Sequence, residues 1–157
     1  MTERVRVSRR AARVLLVDAS DRVLLFRGFD PATPDNRYWF TVGGGLDPGE
    51  TAAEAAVREL REETGLALTP ADLGEPVWHD VDEFPIEDRW YHQEQEFFLA
   101  RVPRWEVDNS GWDAVERRSM DIHRWWSVPE LAATTEQFYP EELPQLLSRL
   151  LGLGLAC

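Results

Sequence analysis

The sequence predicts an α+β domain, and the order of its elements is the reason. Short β-forming segments lie on both sides of one long amphipathic helix, and two further helical segments follow near the C-terminus. Strands and helices do not alternate regularly, so a repeated βαβ winding is not expected. A chain of 157 residues has the length of one domain. We therefore expect a single domain over residues 1–157 with its core at about 13–151.

Composition excludes several classes of protein. The chain is 43% hydrophobic and 29% charged, which is typical of globular domains. No apolar stretch approaches the roughly 20 residues that a membrane span needs, and the polar, Arg-rich N-terminus lacks the apolar region of a secretory signal. The single cysteine, Cys157, can form neither a disulfide framework nor a metal site. These features favour a cytoplasmic location without a membrane partner.

The net charge limits the choice of ligand. The 17 Lys and Arg residues against 29 Asp and Glu residues give a formal charge of −12. Such a field repels a nucleic-acid backbone, so no nucleic-acid partner is expected. It would also repel a phosphorylated small molecule unless a positive charge, such as a divalent cation, were present locally. Alternatively, the charge serves solubility alone.

The first half of the chain predicts three strands. Val14–Val17 and Val23–Phe26 are β-forming segments on either side of the polar turn Asp18–Asp21, which predicts a hairpin. Gly28–Asn36 contains two prolines, a glycine and two aspartates, so we expect a loop there. Tyr38–Val42 predicts a third strand, which leads into three consecutive glycines.

The second half predicts three more strands and two helices. Strands are expected near Val77–Phe84, over Tyr91–Val102 and over Ile122–Trp126. Ser127 with Glu130 forms a capping-box pattern, which predicts a short helix ending near residue 133. A leucine stripe before a glycine predicts a closing amphipathic helix. Its members are Leu143, Leu146, Leu147, Leu150 and Leu151.

The segment between the two groups of strands predicts a helix over Thr51–Thr64 with two distinct sides. The apolar stripe, which we expect to pack on a sheet, consists of Ala53, Ala56, Val57, Leu60 and Thr64. Glu59, Glu62 and Glu63 fall together on a different, polar side. Like charges at these spacings are unfavourable in isolation. A hard cation such as Mg²⁺, which prefers oxygen ligands, can explain their convergence. The alternative is an acidic helix face exposed to solvent.

The spacing of this segment resembles the signature box of the Nudix family. The matching pattern is Gly44-x5-Glu50-x7-Arg58-Glu59-Leu60-x-Glu62-Glu63-x-Gly65-Leu66. Every specified position of the 23-residue box agrees. Just upstream, the family often has Trp-x-x-Pro-Gly-Gly, whereas Val42 stands here in the proline position. The resemblance covers about Arg13 to Leu151. It implies a Nudix-type α/β/α sandwich with a mixed β-sheet and the box helix packed on it.

The resemblance implies a metal site. Glu62 and Glu63 are the expected main carboxylate ligands of Mg²⁺, with Mn²⁺ as a substitute ion. Glu59 is expected to be a further ligand or the base that activates water. The carbonyl of Gly43 or Gly44 would add an oxygen ligand.

The resemblance also implies a reaction. Members of this MutT-type family are pyrophosphohydrolases that cleave a nucleoside diphosphate linked to another moiety. Arg58 would hold the carboxylates by salt bridges, and Glu50 would anchor the loop or touch a second metal. The expected activity is therefore metal-dependent hydrolysis of a diphosphate linkage in a nucleoside diphosphate derivative or nucleoside triphosphate, by metal-activated water.

Signals outside the box are weaker. Family members often use a further glutamate as base or ligand, and Glu116, Glu96 and Glu94 are the candidates, with Glu116 favoured as catalytic. Arg27, at a strand end, is a candidate contact for a phosphate or ribose, and Glu96 and Glu50 are further substrate-binding candidates. A surface role is the alternative for each.

Two other functions remain open. A Nudix-fold nucleotide-binding or regulatory module without catalysis would have an eroded box, whereas this box is intact. An isoprenoid diphosphate isomerase would need a cysteine near the site, for which Cys157 is a poor candidate. By analogy with the family, a homodimer is one expectation for the assembly.

Overall fold

The computed structural model describes residues 5–30, 33–86, 88–112, 114, 117 and 120–153. The strands of this part of the chain are β1 Val5–Val17, β2 Arg22–Asp30, β3 Thr33–Gly45, β4 Trp78–Ile86, β5 Arg89–Arg101, β6 Met120–Ser127 and β7 Gln137–Tyr139. The helices are α1 Ala52–Thr64, α2 Pro70–Leu73, α3 Val128–Ala133 and α4 Leu143–Leu151. None of these helices is long and apolar enough to cross a membrane.

The chain divides into two compact units. The first unit comprises residues 1–15, 43–100 and 107–111, and it contains α1, α2, β4 and β5. The second comprises residues 16–42, 101–106 and 112–157, and it contains β2, β6, β7, α3 and α4. Strands β1 and β3 contribute residues to both units.

In the first unit, β4 and β5 form a long antiparallel pair, with Trp78 opposite Phe97 and Ile86 opposite Arg89. Strand β1 is the other neighbour of β5 in the sheet. Helix α1 contributes Ala52, Ala55 and Leu60 to the buried apolar residues of this unit. The hydrophobic effect favours removal of these side chains from water, which fixes the rotation of α1 about its axis.

In the second unit, β2 pairs antiparallel with β1, β3 and β6, whereas β7 runs parallel to β3. Both strand directions therefore occur, which confirms the predicted mixed sheet and α+β class. Trp39 and Trp126 are buried here, with ring centroids 5.1 Å apart in an edge-to-face arrangement. Aromatic pairs favour this geometry.

Most of the predicted elements are confirmed. The N-terminal hairpin is present and its strands extend beyond the predicted segments. Helix α3 has both halves of its capping box, since Ser127 Oγ accepts from the Glu130 N–H at 3.2 Å and Glu130 Oε1 accepts from the Ser127 N–H at 2.9 Å. Helix α4 ends at Leu151 and is capped by Gly152, which has a φ of 68°. Glycine adopts this left-handed conformation without steric cost.

The predicted loop over Gly28–Asn36 is wrong for residues 28–30 and 33–36, and its other two residues lie outside the described part of the chain. Strand β2 continues to Asp30 and β3 begins at Thr33, with Phe29 opposite Arg37. The register shifts between Phe29 and Asp30, so the pairing continues past a bulge. Bulges and strand edges are places where a sheet accepts glycine and proline, which explains why these residues misled the prediction.

Strand β7 was not predicted, because Gln137–Tyr139 is too short to show a β-pattern. The predicted apolar stripe of α1 also needs a correction. Ala53 and Val57 are only half-buried, whereas Ala52, Ala55 and Glu63 are buried. Alanines on several sides of the helix define no strong direction, so the pattern alone did not determine which side faces the interior.

Candidate active site

The last three residues of β3 are glycines, and with the segment up to α1 they form residues 43–51, which we call the glycine loop. This loop depends on glycine at its first position. Gly43 has a φ of 141°, and a Cβ there would lie 2.1 Å from the carbonyl oxygen of Ala12. No larger residue fits this close approach. The Gly43 N–H donates to Glu63 Oε2 at 3.2 Å. Glu63 is only 3% exposed, so this bond supplies a partner for a buried carboxylate.

Gly44 brings the same loop against the next carboxylate. A Cβ at Gly44 would lie 2.7 Å from Glu59 Oε1. The backbone of the loop and the Glu59 carboxylate are therefore close neighbours because residue 44 has no side chain. Carbonyl and carboxylate oxygens could share one cation at such a place.

Arg58 connects three carboxylates with the loop. Its Nε and Nη2 donate to the two oxygens of Glu50 at 2.7 and 2.9 Å, a bidentate pair. Its Nη1 donates to Glu59 Oε1 at 3.0 Å and to Glu62 Oε2 at 3.4 Å. Its Nη2 also donates to the Gly45 carbonyl at 3.0 Å. We call Arg58 with Glu50, Glu59 and Glu62 the Arg58 cluster.

The electrostatics of the Arg58 cluster follow from these contacts. The hydrogen bonds between Arg58 and Glu50 lower the pKa of the Glu50 carboxyl and raise the pKa of the Arg58 guanidinium. Burial raises the pKa of Glu62, and the neighbouring charge of Glu59 raises it further, while Arg58 acts in the opposite direction. Arg58 therefore offsets only part of the carboxylate repulsion.

The donor chemistry of this site fits a hard divalent cation. Glu59, Glu62 and Glu63 with the carbonyl of Gly44 offer only oxygen atoms, which suits Mg²⁺ or Mn²⁺. Within the described residues, no three His, Cys, Asp or Glu side chains are already arranged around one metal position. Glu59 and Glu62 are instead hydrogen-bonded to Arg58, so a cation would compete with Arg58 for these two carboxylates.

The candidates outside the box have separate surroundings. Glu96 Oε1 lies 3.7 Å from Arg10 Nη2 on the first unit. Glu94 Oε1 lies 3.9 Å from His92 Nε2. In the second unit, the guanidinium of Arg27 lies 5.8 Å from the centroid of the Trp39 ring. Glu116, the favoured extra glutamate, lies outside the described residues.

Two residues, one inside the box and one on β1, were not predicted to lie at the site. Asp47 Oδ2 lies 3.3 Å from Arg58 Nε, so a further carboxylate borders the Arg58 cluster. Arg9 on β1 lies beside Gly45, where a Cβ would come 3.2 Å from its Nε. Arg9 belongs to a group of arginines in β1, which is visible in the sequence. Its proximity to the box is not visible there, because more than 30 residues separate them.

A cavity of about 660 Å³ lies along the C-terminal half of α1. Residues that line it include Val57, Arg61, Glu62, Leu68, Asp108 and Ser110. Its volume lies in the range of small-molecule sites. Because Glu62 forms part of the wall, a molecule in this cavity would touch the acidic side of the helix.

Comparison with known proteins supports one family. The NUDIX domain model matches residues 7–146. The RNA pyrophosphohydrolase of Erythrobacter litoralis (strain HTCC2594) is 36% identical over 117 residues, which are 69% of this chain and 63% of that protein. The RNA pyrophosphohydrolase of Sphingopyxis alaskensis is 34% identical over 101 residues, which are 59% of this chain and 62% of that protein. The chain thus spans somewhat less than two thirds of these two relatives.

Solved structures agree at the level of the fold. The MutT protein from Methanosarcina mazei Go1 superimposes with a TM-score of 0.61 at 16% identity, covering 95% of each chain. This likeness confirms the predicted Nudix fold. Together with the family match over residues 7–146, it shows that the chain belongs to the NUDIX family.

Proposed function

We propose that this protein hydrolyses a diphosphate linkage in a nucleoside diphosphate derivative or nucleoside triphosphate, with Mg²⁺ or Mn²⁺ as the required ion. The observation that supports this most strongly is the placement of Glu63 and Glu59 beside Gly43 and Gly44, with Glu62 joined to Glu59 through Arg58. An acidic helix face exposed to solvent gains nothing from such contacts, whereas a site for a hard cation can combine carboxylate and backbone carbonyl oxygens.

The residues of the proposed site would bind the ion, orient the carboxylates and accept a proton. Glu59, Glu62, Glu63 and the Gly44 carbonyl would hold the ion, which would polarise phosphoryl oxygens and lower the pKa of a bound water. Arg58 orients Glu50, Glu59 and Glu62 by direct hydrogen bonds. Glu59 or the glutamate at 116 would accept the proton of the attacking water.

The test is turnover of a substrate panel. The panel contains nucleoside triphosphates, nucleotide sugars, ADP-ribose and dinucleotides, each with Mg²⁺ and with EDTA. Glu62→Gln and Glu63→Gln keep the shape of the side chain and remove its charge. We expect turnover of at least one compound by wild type, and at least a hundredfold loss with EDTA and in both variants, about 3 kcal/mol in the barrier.

The same panel tests the alternative of a binding module. If no compound is hydrolysed while one binds with a measurable Kd, the catalytic proposal fails and the protein is a nucleotide-binding module. Turnover that persists in EDTA would separate the activity from the proposed metal ligands.

A second substrate class is favoured by the relatives. The first of them, at 36% identity, is named for an activity on RNA. We therefore include RNA with a 5′-triphosphate end in the panel. The net charge of −12 repels a long polyanion, and this repulsion is stronger at low salt. We therefore expect the rate of RNA hydrolysis to fall more at low salt than the rate of hydrolysis of a free nucleotide.

A further inference from the structure

Arg9 on β1 is an exposed arginine whose guanidinium lies beside the glycine loop. A Cβ built at Gly45 would come 3.2 Å from both Nε and Nη2 of Arg9. The carbonyl of Gly45 accepts a hydrogen bond from Arg58 at 3.0 Å. Arg9 is therefore next to the peptide that also binds the Arg58 cluster.

Arg9 differs from two neighbouring arginines of β1. Arg10 forms an ion pair with Glu96 at 3.7 Å, and Arg13 Nε donates to Gln95 Oε1 at 3.0 Å. Within the described part of the chain, the guanidinium of Arg9 has no hydrogen bond and no ion pair. None of its five N–H donors is therefore used by another described residue.

The surroundings of Arg9 indicate which ligand. The glycine loop and α1 carry six acidic residues against the two basic residues Arg58 and Arg61; the acidic ones are Asp47, Glu50, Glu54, Glu59, Glu62 and Glu63. An anion that approaches this acidic surface needs further positive charge, even when a cation is bound. A guanidinium binds two oxygens of one phosphate group in a planar fork, which an ammonium group cannot do.

We propose that Arg9 and the side-chain-free surface of Gly45 form a phosphate subsite that binds two oxygens of the substrate's phosphate chain. This rests on the proposed hydrolysis of a diphosphate linkage. The subsite recognises phosphate and not the nucleoside. Loss of Arg9 therefore weakens the binding of free inorganic diphosphate as much as the binding of a nucleotide.

The probe is imidodiphosphate, a diphosphate analogue with a nitrogen bridge, titrated calorimetrically into the protein with Mg²⁺. Arg9→Gln is expected to raise its Kd about tenfold, the effect of losing one charged hydrogen-bonding partner. Arg9→Lys keeps the charge without the fork, so we expect a rise of about threefold.

Arg104→Gln is the matched control. It removes the same charge from a side chain that is 86% exposed and 3.7 Å from Glu106. We expect its Kd for imidodiphosphate to equal that of wild type. Equal Kd values for Arg9→Gln and wild type, equal weakening by Arg9→Gln and Arg104→Gln, or no binding to wild type would each overturn the subsite.

Hydrolysis measured on the same proteins separates the two proposals. We expect Arg9→Gln to raise KM about tenfold with kcat changed less than about twofold, because the residue binds substrate away from the attacking water. If wild type binds imidodiphosphate through Arg9 but hydrolyses nothing in the panel, the subsite stands and the proposed reaction fails. If wild type hydrolyses a compound of the panel and Arg9→Gln binds imidodiphosphate as wild type does, the proposed reaction stands and the subsite fails.

Discussion

Arg58 shows how one side chain can organise a site at the scale of single residues. Its guanidinium reaches Glu50, Glu59 and Glu62 together with the Gly45 carbonyl. The bidentate bond to Glu50 needs a planar fork, and the other bonds need its remaining N–H groups. A lysine could keep the charge but not this set of bonds.

Arg58→Lys is therefore expected to lower kcat/KM at least tenfold and to lower the free energy of unfolding by about 1 to 2 kcal/mol. Steady-state kinetics and urea unfolding measure the two effects. The control is Arg149→Lys, which keeps an exposed arginine position charged at the end of α4. If Arg58→Lys has the kcat/KM of wild type, a positive charge at residue 58 is sufficient for activity and the guanidinium hydrogen bonds are not required.

Gly44 and Gly49 allow a second comparison between residues of one loop. Gly44→Ala puts a Cβ 2.7 Å from Glu59 Oε1, so this carboxylate must move and metal affinity should fall at least fivefold. Gly49→Ala meets no atom within 4 Å, but its φ of 83° strains an alanine. We expect Gly49→Ala to cost about 1 kcal/mol of stability without a change in metal affinity.

Titration of both variants with Mn²⁺, together with their unfolding curves, measures the two effects. If Gly44→Ala binds Mn²⁺ as wild type does, Glu59 is not a ligand of the ion.

Helix α3 illustrates a property of a whole element, since its N-terminus depends on the capping box of Ser127 and Glu130. The pKa of Glu130 lies below its ordinary value of 4.5. The largest cause is the hydrogen bond from the Ser127 backbone N–H, and the Ser127 hydroxyl and Arg124 contribute less. A carboxyl with a lowered pKa in the folded state contributes stability above the unfolded pKa. This contribution is lost as the pH falls through the folded pKa.

Glu130→Gln is therefore expected to reduce the free energy of unfolding by about 0.5 kcal/mol at pH 7, and the difference from wild type should shrink below pH 4.5. Denaturant unfolding at pH 7, 5 and 4 measures it. Glu75→Gln is a control for the loss of one exposed charge. A difference that stays constant down to pH 4 would mean that the charge of Glu130 does not stabilise the helix.

At the scale of the whole molecule, the acidic balance opposes folding near the box. The formal charge is −12, and Glu59, Glu62 and Glu63 add local repulsion to it. A divalent ion that binds only the folded protein removes part of this repulsion and stabilises the fold by mass action.

Addition of Mg²⁺ to EDTA-treated protein should thus raise Tm by several degrees, since an ion at about 100 times its Kd contributes about 2.7 kcal/mol. Glu62→Gln and Glu63→Gln should lose most of this shift. Scanning calorimetry of the three proteins at equal ionic strength measures it. The same shift in all three would place the binding of Mg²⁺ elsewhere.

The sequence by itself determined the box and most of the strands and helices. The leucine stripe of α4 and the capping box at Ser127 are patterns of residues close together in the sequence. They could therefore be found without a structure. The spacing of the three glutamates predicted a shared site because residues three and four apart lie on one side of a helix. The single-domain arrangement over residues 1–157 stays a prediction.

The tertiary structure decided what depends on residues far apart in the chain. The approach of Gly43 to Ala12 and the position of Arg9 beside Gly45 result from the packing of β1 against the glycine loop, and Glu63 is buried next to Gly43. Strand β7 exists only because β3 supplies its hydrogen-bond partners. Local sequence cannot specify these features, because the free energy that stabilises them comes from contacts formed only when the whole chain has folded.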